Sequence, residues 1–298
     1  MQDILSHIPT EERQRKTILF SLLVLGYVGL FTFMAGQGDT QSDGITRIDP
    51  IDLLLVQGVI SGVFFILLPM LFVQHALDFP VRKFFRPIPL VQLFALALIG
   101  LSCIVVLSAV IEWNMNIELP GAGFQTWAKA KEAELKILTE HLINFKSTTQ
   151  FVIAFVVIAI FAAVGEELLF RGLIQNLLAK ISGNAHVGIW VSAVLFSAIH
   201  LQFFGFFPRL LIGALFGYLY YWSGRLSVAM FAHFFHNGLS ITAAYVAGMG
   251  LESVPITSDQ MDKAAPWHLI LVFGLIGAAA LIWFKREAKE HDALAKSV

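Results

Sequence analysis

Two adjacent glutamates inside a long apolar segment limit what this chain can fold into. They stand in the sequence GEELLFRG, residues 165–172, and the preceding run 151–164 contains no charged residue. If this segment is a helix that crosses a bilayer, Glu166 and Glu167 lie at membrane depth. A carboxylate there costs about 2.5–3.5 kcal/mol on insertion scales. We therefore expect polar partners from elsewhere in the chain, or a catalytic task, that offset this cost.

The composition indicates a polytopic membrane protein. Of the 298 residues, 57% are hydrophobic and 14% are charged, whereas soluble domains contain about 25% charged residues. The mean hydropathy is +0.75. The net charge of −1 gives no reason to expect a nucleic-acid partner. The single cysteine, Cys103, excludes an intrachain disulfide, and we expect it to pack as a small apolar residue.

Apolar stretches of roughly the 20 residues needed to cross a bilayer recur along the chain. We predict an all-α fold with about eight transmembrane helices in one bundle, as a single membrane domain over residues 1–298. The fourth span is expected to continue as one helix to about Lys180, because the first break is Ser182-Gly183-Asn184. The fifth and sixth spans are short for a full crossing. The predicted spans lie near 17–36, 52–73, 90–111, 148–166, 187–202, 208–223, 227–248 and 267–284.

The long connection over residues 112–147 has the pattern of an amphipathic helix on the membrane surface. Its apolar residues recur at roughly helical spacing, with Lys and Glu between them. A helix that covers the bundle is the simpler interpretation, and a lid or substrate guide is the functional one. The predicted apolar face consists of Trp127, Ala130, Leu135, Leu138, Leu142 and Phe145.

The distribution of Lys and Arg predicts the orientation of the chain in the membrane. With eight spans both ends of the chain lie on one side, and most of the Lys and Arg residues fall on that side. By the positive-inside rule, we expect an integral, multi-pass membrane protein with both termini in the cytoplasm.

Three polar groups interrupt the later spans: Glu166, Glu167 and Arg171 on the fourth, His200 at the end of the fifth, and His233 with Asn237 on the seventh. The turn after the fourth span centres on Gly183, which is equidistant in sequence from residues 166 and 200. In an antiparallel helical hairpin, these two residues lie at the same depth. The four-residue spacing of 233 and 237 places both on one helix face.

These groups suit hydrolysis by an activated water molecule. Glu167 and Arg171 have the favourable i, i+4 order for an ion pair, which leaves Glu166 free to act as a general base with a histidine at its level. His233 and Asn237 could stabilise a developing oxyanion. A covalent mechanism is less well supported, because no Ser-His-Asp spacing is apparent and Cys103 has no base near it in sequence.

Each motif alone has a simpler interpretation. A pair of glutamates usually lies at a solvated helix end, and a lone histidine on an apolar face is usually a packed core residue. Phe170 and Phe196, four residues from Glu166 and His200, are expected to line a substrate site. Two other functions stay open: a transporter with a buried proton or ion relay, and a non-catalytic membrane scaffold or immunity protein. Neither internal repeats nor broken helices of the transporter kind are apparent in the sequence.

Taken together, the motifs resemble those of the CPBP family, the type II CAAX prenyl endopeptidases and their bacterial relatives, also called the Abi family. The family carries EExxxR, FxxxH and HxxxN or a similar third motif on transmembrane helices. Here they read Glu166-Glu167…Arg171, Phe196…His200 and His233…Asn237, over a predicted catalytic core of residues 148–245.

The resemblance implies an eight-helix intramembrane endopeptidase that hydrolyses a peptide bond. In its pattern Glu166 acts with His200 on water, His233 and Asn237 form the oxyanion site, and Glu167 with Arg171 holds the site together. The substrate would be a peptide or protein in or at the lipid bilayer, with or without a lipid modification.

The resemblance leaves the dependence on metal open. Members have been described both as metalloproteases and as glutamate-dependent enzymes, and a divalent ion such as zinc would take Glu166, His200 and His233 as ligands. Because the chain contains no HExxH motif, we favour the mechanism without metal.

Overall fold

The computed structural model describes residues 11–35, 47–118, 120–249 and 263–297, and this part of the chain is helical without strands. Two of the described helices, over 50–76 and 148–182, contain π-helical stretches, and a short 3₁₀ turn spans Val81–Phe85. The long helices are α1 (Glu11–Ala35), α2 (Pro50–Ala76), α3 (Leu90–Met115), α4 (Ala122–Ile143), α5 (Thr148–Ser182), α6 (Ala185–Ala198), α7 (Phe206–Ser223), α8 (Leu226–Gly248) and α9 (Trp267–Ser297).

Each of the eight predicted spans coincides with a helix, although residue 36 of the first lies outside the described residues. Four helical segments of the described chain are long and apolar enough to cross a membrane: those within α2, α3, α5 and α9. The chain is therefore an integral membrane protein, but the predicted count of eight crossings is not confirmed.

The fifth predicted span, 187–202, extends four residues beyond the end of the helix. Helix α6 ends at Ala198 and has 14 residues. At 1.5 Å per residue it is about 21 Å long, short of the roughly 30 Å hydrocarbon core. His200 consequently lies in the turn after the helix and not within it.

Local sequence explains the limits of α5. Ser147 precedes the helix, and its hydroxyl accepts a hydrogen bond from the amide of Gln150 at 3.1 Å. Gly183 ends the helix with a positive φ of 66°, a conformation that glycine adopts without strain. Asn184 then caps α6 by accepting from the amide of His186 at 2.8 Å. The predicted turn is thus confirmed.

Helix α5 contacts α2, α6, α7 and α8, so its polar residues face other helices. Two helices approach each other closely where one of them has a glycine at the contact. A Cβ at Gly165 would lie 2.6 Å from Cβ of Phe65 on α2, and one at Gly188 of α6 would lie 2.6 Å from the carbonyl oxygen of Gln175. These two glycines allow the backbones around the glutamate pair to pack closely.

The surface helix predicted between 112 and 147 is present as α4. Leu138 and Phe145 pack with buried Leu142 against Leu54 of α2, as an amphipathic helix requires. Trp127 and Ala130 are exposed, so the predicted apolar face is wrong at these two residues. The buried face includes Ala128 instead, because residues 128, 135 and 142 are seven apart and lie on one side of the helix, whereas residue 130 is about 120° away from residue 142.

The orientation of the chain and the limits of its domains stay predictions. Residues 1–10, 36–46, 119, 250–262 and 298 lie outside the described part of the chain. Both the predicted single domain, 1–298, and the predicted cytoplasmic termini include some of these residues.

Candidate active site

Glu167 is the centre of a buried polar cluster. Its Oε1 atom accepts a hydrogen bond from Nη1 of Arg171 at 2.8 Å and lies 2.9 Å from Nδ1 of His233. The side chains of Glu167 and Arg171 are 0% and 1% exposed. The ion pair inferred from the i, i+4 spacing is therefore present. The second contact, from α5 to His233 of α8, was not expected, because we assigned Glu167 to Arg171 alone.

Arg171 is held on several sides. Its Nη2 donates to the carbonyl oxygen of Gly213 on α7 at 2.7 Å. The guanidinium carbon lies 4.7 Å from the ring centroid of Phe196 and 5.7 Å from that of Phe216. A buried charge with an ion-pair partner, a carbonyl and aromatic faces has most of its lost hydration replaced.

Glu166 faces the accessible side of the cluster. Its side chain is 20% exposed, and its Oε2 lies 3.9 Å from Nε2 of His233. That distance is too long for a direct hydrogen bond and allows a bridging water. The two carboxylates of α5 therefore lie on opposite edges of one imidazole, which also stacks on Phe216 at 5.1 Å between ring centroids.

The ring of His200 is oriented by the last turn of the preceding helix, α6. Its Nδ1 lies 2.8 Å from the carbonyl oxygen of Phe196. A carbonyl only accepts hydrogen bonds, so Nδ1 carries the proton and Nε2 of the neutral ring is an acceptor. An imidazole in this tautomer can take a proton from water at Nε2.

The side-chain amide of Asn237 makes one hydrogen bond to α5. Its Nδ2 donates to the carbonyl oxygen of Ile158, in a π-helical stretch of α5, at 3.0 Å. An amide nitrogen carries two hydrogens, so one donor is left for a ligand. The contact fixes the side chain one turn after His233, on the same face of α8.

The two phenylalanines predicted to line the site are core residues. Phe170 is 0% and Phe196 is 3% exposed, and their ring centroids are 5.2 Å apart. Phe196 also lies beside the rings of His200 and His233, at 5.3 and 6.0 Å. A substrate could touch Phe196 from the imidazole side, whereas contact with Phe170 would require a rearrangement. Substrate lining by either residue stays a prediction.

The three residues suggested as zinc ligands do not form a metal site here. Within the described ranges, no group of three or more His, Cys, Asp or Glu side chains is arranged to hold a metal ion. Glu166 and His233 approach each other, but Nδ1 of His233 is taken by Glu167. The positions of Glu166, His200 and His233 in this structure therefore do not fit zinc coordination.

Arg209 was not predicted as a site residue. It lies on α7, and its charge acts on both Glu166 and His200. One guanidinium nitrogen donates to the side-chain oxygen of Gln202. A basic residue in the apolar stretch 203–223, so soon after His200, was the signal that could have identified it.

Comparison with known proteins finds a match over the segment that contains most of this site. Residues 148–239 match the family model described as "Type II CAAX prenyl endopeptidase Rce1-like". This segment, called the Rce1-like segment below, is similar to that family. The resemblance inferred from the motifs is confirmed, since all three motifs lie within the match. The Rce1-like segment also falls inside the predicted core, 148–245.

One curated relative of the chain is the "Uncharacterized protein YpbD" of Bacillus subtilis (strain 168). The two are 36% identical over 76 residues, which is 24% of this chain and 35% of the relative. The chain thus spans about a third of the length of this relative. No solved structure matches the chain.

Proposed function

We propose that this protein is an intramembrane endopeptidase, related to the CAAX-processing proteases, that hydrolyses a peptide bond with a water activated by Glu166 and His200. One observation carries the proposal: an imidazole of α8 lies between two carboxylates of α5, at 2.9 and 3.9 Å, inside an apolar bundle. Intramembrane ionisable groups are rare unless they function. The Rce1-like match supports a protease over a transporter or a scaffold.

In the proposed reaction a water molecule lies between Glu166 and Nε2 of His200. Its oxygen attacks the carbonyl carbon of the substrate while Glu166 takes a proton. A carboxylate in a site of low dielectric is a stronger base than in water, since fewer dipoles stabilise its charge. The same proton then passes to the leaving nitrogen and the C–N bond breaks, which gives a carboxylic acid and an amine. The second proton of the water then passes from the acid to the amine, and the products leave as a carboxylate and an ammonium ion.

His233 and Asn237 would stabilise the oxyanion that forms on the substrate. The free N–H of Asn237 would donate to it. His233, as an imidazolium whose Nδ1–H donates to Glu167, would donate from Nε2–H as well, and preorganised donors of this kind commonly contribute most to catalysis. Glu167 would hold the ring of His233 through Nδ1, and Arg171 would hold Glu167. The substrate class that follows is a peptide or protein segment in the bilayer, with or without a lipid modification.

The proposal is tested by cleavage of a panel of fluorogenic peptides, prenylated and unmodified, by protein purified in detergent. We expect the wild type to cleave at least one peptide with or without a chelator. We expect the cleavage rate of Glu166→Gln to be about 10²- to 10⁴-fold lower than that of the wild type, the usual contribution of a general base. Glu112→Gln is the matched control, because Glu112 is exposed at the end of α3.

Three results would count against the proposal. Full activity of Glu166→Gln would exclude Glu166 as the base. Loss of activity with chelator, restored by zinc, would overturn the mechanism without metal. A folded wild-type protein that cleaves no peptide of the panel would favour the scaffold function.

A further inference from the structure

His200 depends on an irregular turn for its position. The residue lies between the end of α6 at Ala198 and the start of α7 at Phe206. The next residue, Leu201, has a positive φ of 52°, which is unfavourable for a branched side chain. Such a backbone persists only where the surrounding structure holds it. The turn must therefore be held by contacts with other parts of the chain.

Asn114, at the end of α3, bridges the turn with both ends of its side chain. Nδ2 donates to the carbonyl oxygen of Phe203 at 3.1 Å, and Oδ1 accepts from the amide of Phe207 at 2.9 Å. Asn114 is 2% exposed. One partner only accepts and the other only donates, so the orientation of the amide follows from its contacts.

Asn114 supplies the N-terminal cap of α7 that the residues just before this helix do not provide. The residue before α7 is Gly205, and no side chain caps this helix from within its own segment. The first amides of a helix need acceptors, and Oδ1 of Asn114 provides one from α3. Ser197 adds a second brace, because its hydroxyl donates to the carbonyl oxygen of Phe206 at 2.7 Å.

The turn is also covered by α4. The ring of Phe203 lies 5.3 Å from the rings of Phe124 and Trp127. These aromatic contacts orient the outer side of the turn. They cannot replace the polar contacts of Asn114, because ring packing satisfies neither the carbonyl of Phe203 nor the amide of Phe207.

From these contacts we propose that Asn114 is a positioning residue for His200, a role that rests on the proposed hydrolase function. It acts through the backbone of residues 203–207 and does not touch the substrate. It lies outside the Rce1-like segment, 148–239. The site thus depends on a side chain contributed by α3.

The test compares two substitutions. Asn114→Leu removes both hydrogen bonds at similar volume, and Asn114→Asp keeps the acceptor for Phe207 but loses the donor to Phe203. Asn116→Leu is the matched control, because Asn116 lies two residues on and is exposed. Within the described part of the chain, its side chain bonds to the carbonyl oxygen of Glu112 alone.

The exchange rate of backbone amides in detergent measures how firmly Asn114 holds the turn. In Asn114→Leu we expect exchange over residues 199–207 to rise on the order of tenfold, with a smaller rise in Asn114→Asp. We expect faster modification of His200 by diethylpyrocarbonate, read by mass spectrometry. Exchange across α5 should be unchanged, which separates a local release from general unfolding.

Peptide cleavage measures the consequence. We expect kcat of Asn114→Leu to fall about 10- to 100-fold, as a displaced catalytic group does, with KM within about twofold. Asn114→Asp should recover part of kcat, and Asn116→Leu should match the wild type. A change in KM alone, or unchanged exchange in Asn114→Leu, would overturn the proposal.

The two proposals fail separately. If the wild type cleaves no peptide, the hydrolase function fails, while exchange and His200 modification still decide whether Asn114 holds the turn. If the wild type is active and Asn114→Leu loosens the turn at full kcat, the positioning role is wrong and the hydrolase function stands.

Discussion

A single carboxylate oxygen explains how charged residues are tolerated in this bundle. Oε1 of Glu167 contacts both Arg171 and His233, while Oε2 is buried without a hydrogen-bond partner in the described part of the chain. The carboxylate therefore depends strongly on these two contacts. Glu166, one residue earlier, is partly exposed and can bind water. Two adjacent glutamates thus have different surroundings, a buried ion pair for Glu167 and access to water for Glu166, which suit a structural role and the proposed catalytic role.

Removing the guanidinium should destabilise the protein. In Arg171→Ala the carboxylate of Glu167 loses its cation while it stays buried, and breaking a buried pair costs about 3–5 kcal/mol. We expect a clear fall in the melting temperature measured in detergent. The double variant Arg171→Ala with Glu167→Gln should recover part of the loss, because the stranded charge is removed.

The exposed pair of Lys16 and Glu12 is the control for this prediction. It has the same i, i+4 spacing and an N–O distance of 2.9 Å, but its side chains are 53% and 74% exposed. Lys16→Ala should cost about 0.5 kcal/mol or less. Equal melting temperatures of Arg171→Ala and Lys16→Ala would show that the buried pair does not stabilise the fold.

At the level of helices, the site depends on how closely α6 and α7 approach α5. The carbonyl of Gly213 on α7 accepts from Arg171, and the carbonyl of Gly217, one turn later, accepts from Gln175 at 3.2 Å. A Cβ at Gly217 would lie 2.7 Å from Oε1 of Gln175. Small residues are common where membrane helices pack, because they allow backbones to approach. Here they also expose carbonyls to side-chain donors.

Gly188 of α6 offers the sharpest test of this close approach. An added Cβ would lie 2.8 Å from both N and Cβ of Ala179, besides the carbonyl of Gln175. Since backbone atoms cannot move aside cheaply, we expect Gly188→Ala to cost about 1–3 kcal/mol through overpacking. Thermal unfolding in detergent measures the change.

Gly26→Ala is the matched control, since no atom of the described residues lies within 4 Å of a Cβ at that residue of α1. Alanine should there leave stability equal or raise it by about 0.5–1 kcal/mol, the usual gain in a helix interior. A Gly188→Ala protein as stable as the Gly26→Ala protein would contradict the packing described for α5 and α6.

For the whole molecule, orientation is the property to test, and Cys103 makes this practical as the only cysteine. In a Cys103→Ser background, single cysteines can replace Lys16 before the spans, Lys136 on α4 and Lys289 after them. We expect an impermeant maleimide to label position 136 in intact cells and the other two only after permeabilisation, because basic flanks stay in the cytoplasm. Labelling of position 16 or 289 in intact cells would reverse the predicted orientation.

Much of the architecture was predictable because it depends on local sequence. Apolar runs, the turn at Gly183 and the i, i+4 pair of Glu167 and Arg171 are short-range features. The end of α6 was not predicted, since residues 199–202 are as compatible with a helix as those before them. The hydrogen bonds of Asn114 of α3 with Phe203 and Phe207, just after these residues, join segments that are far apart in the sequence.

The polar residues that interrupt apolar runs, and the helices on which most of them stand, follow from the sequence, because charge within an apolar run and helical spacing are local features. Which of these side chains meet follows from the three-dimensional packing. Glu167 bonds to His233 across 66 residues, and Asn114 bonds to Phe207 across 93. Such pairs depend on the packing of whole helices, and no local pattern specifies which faces of two helices will come together.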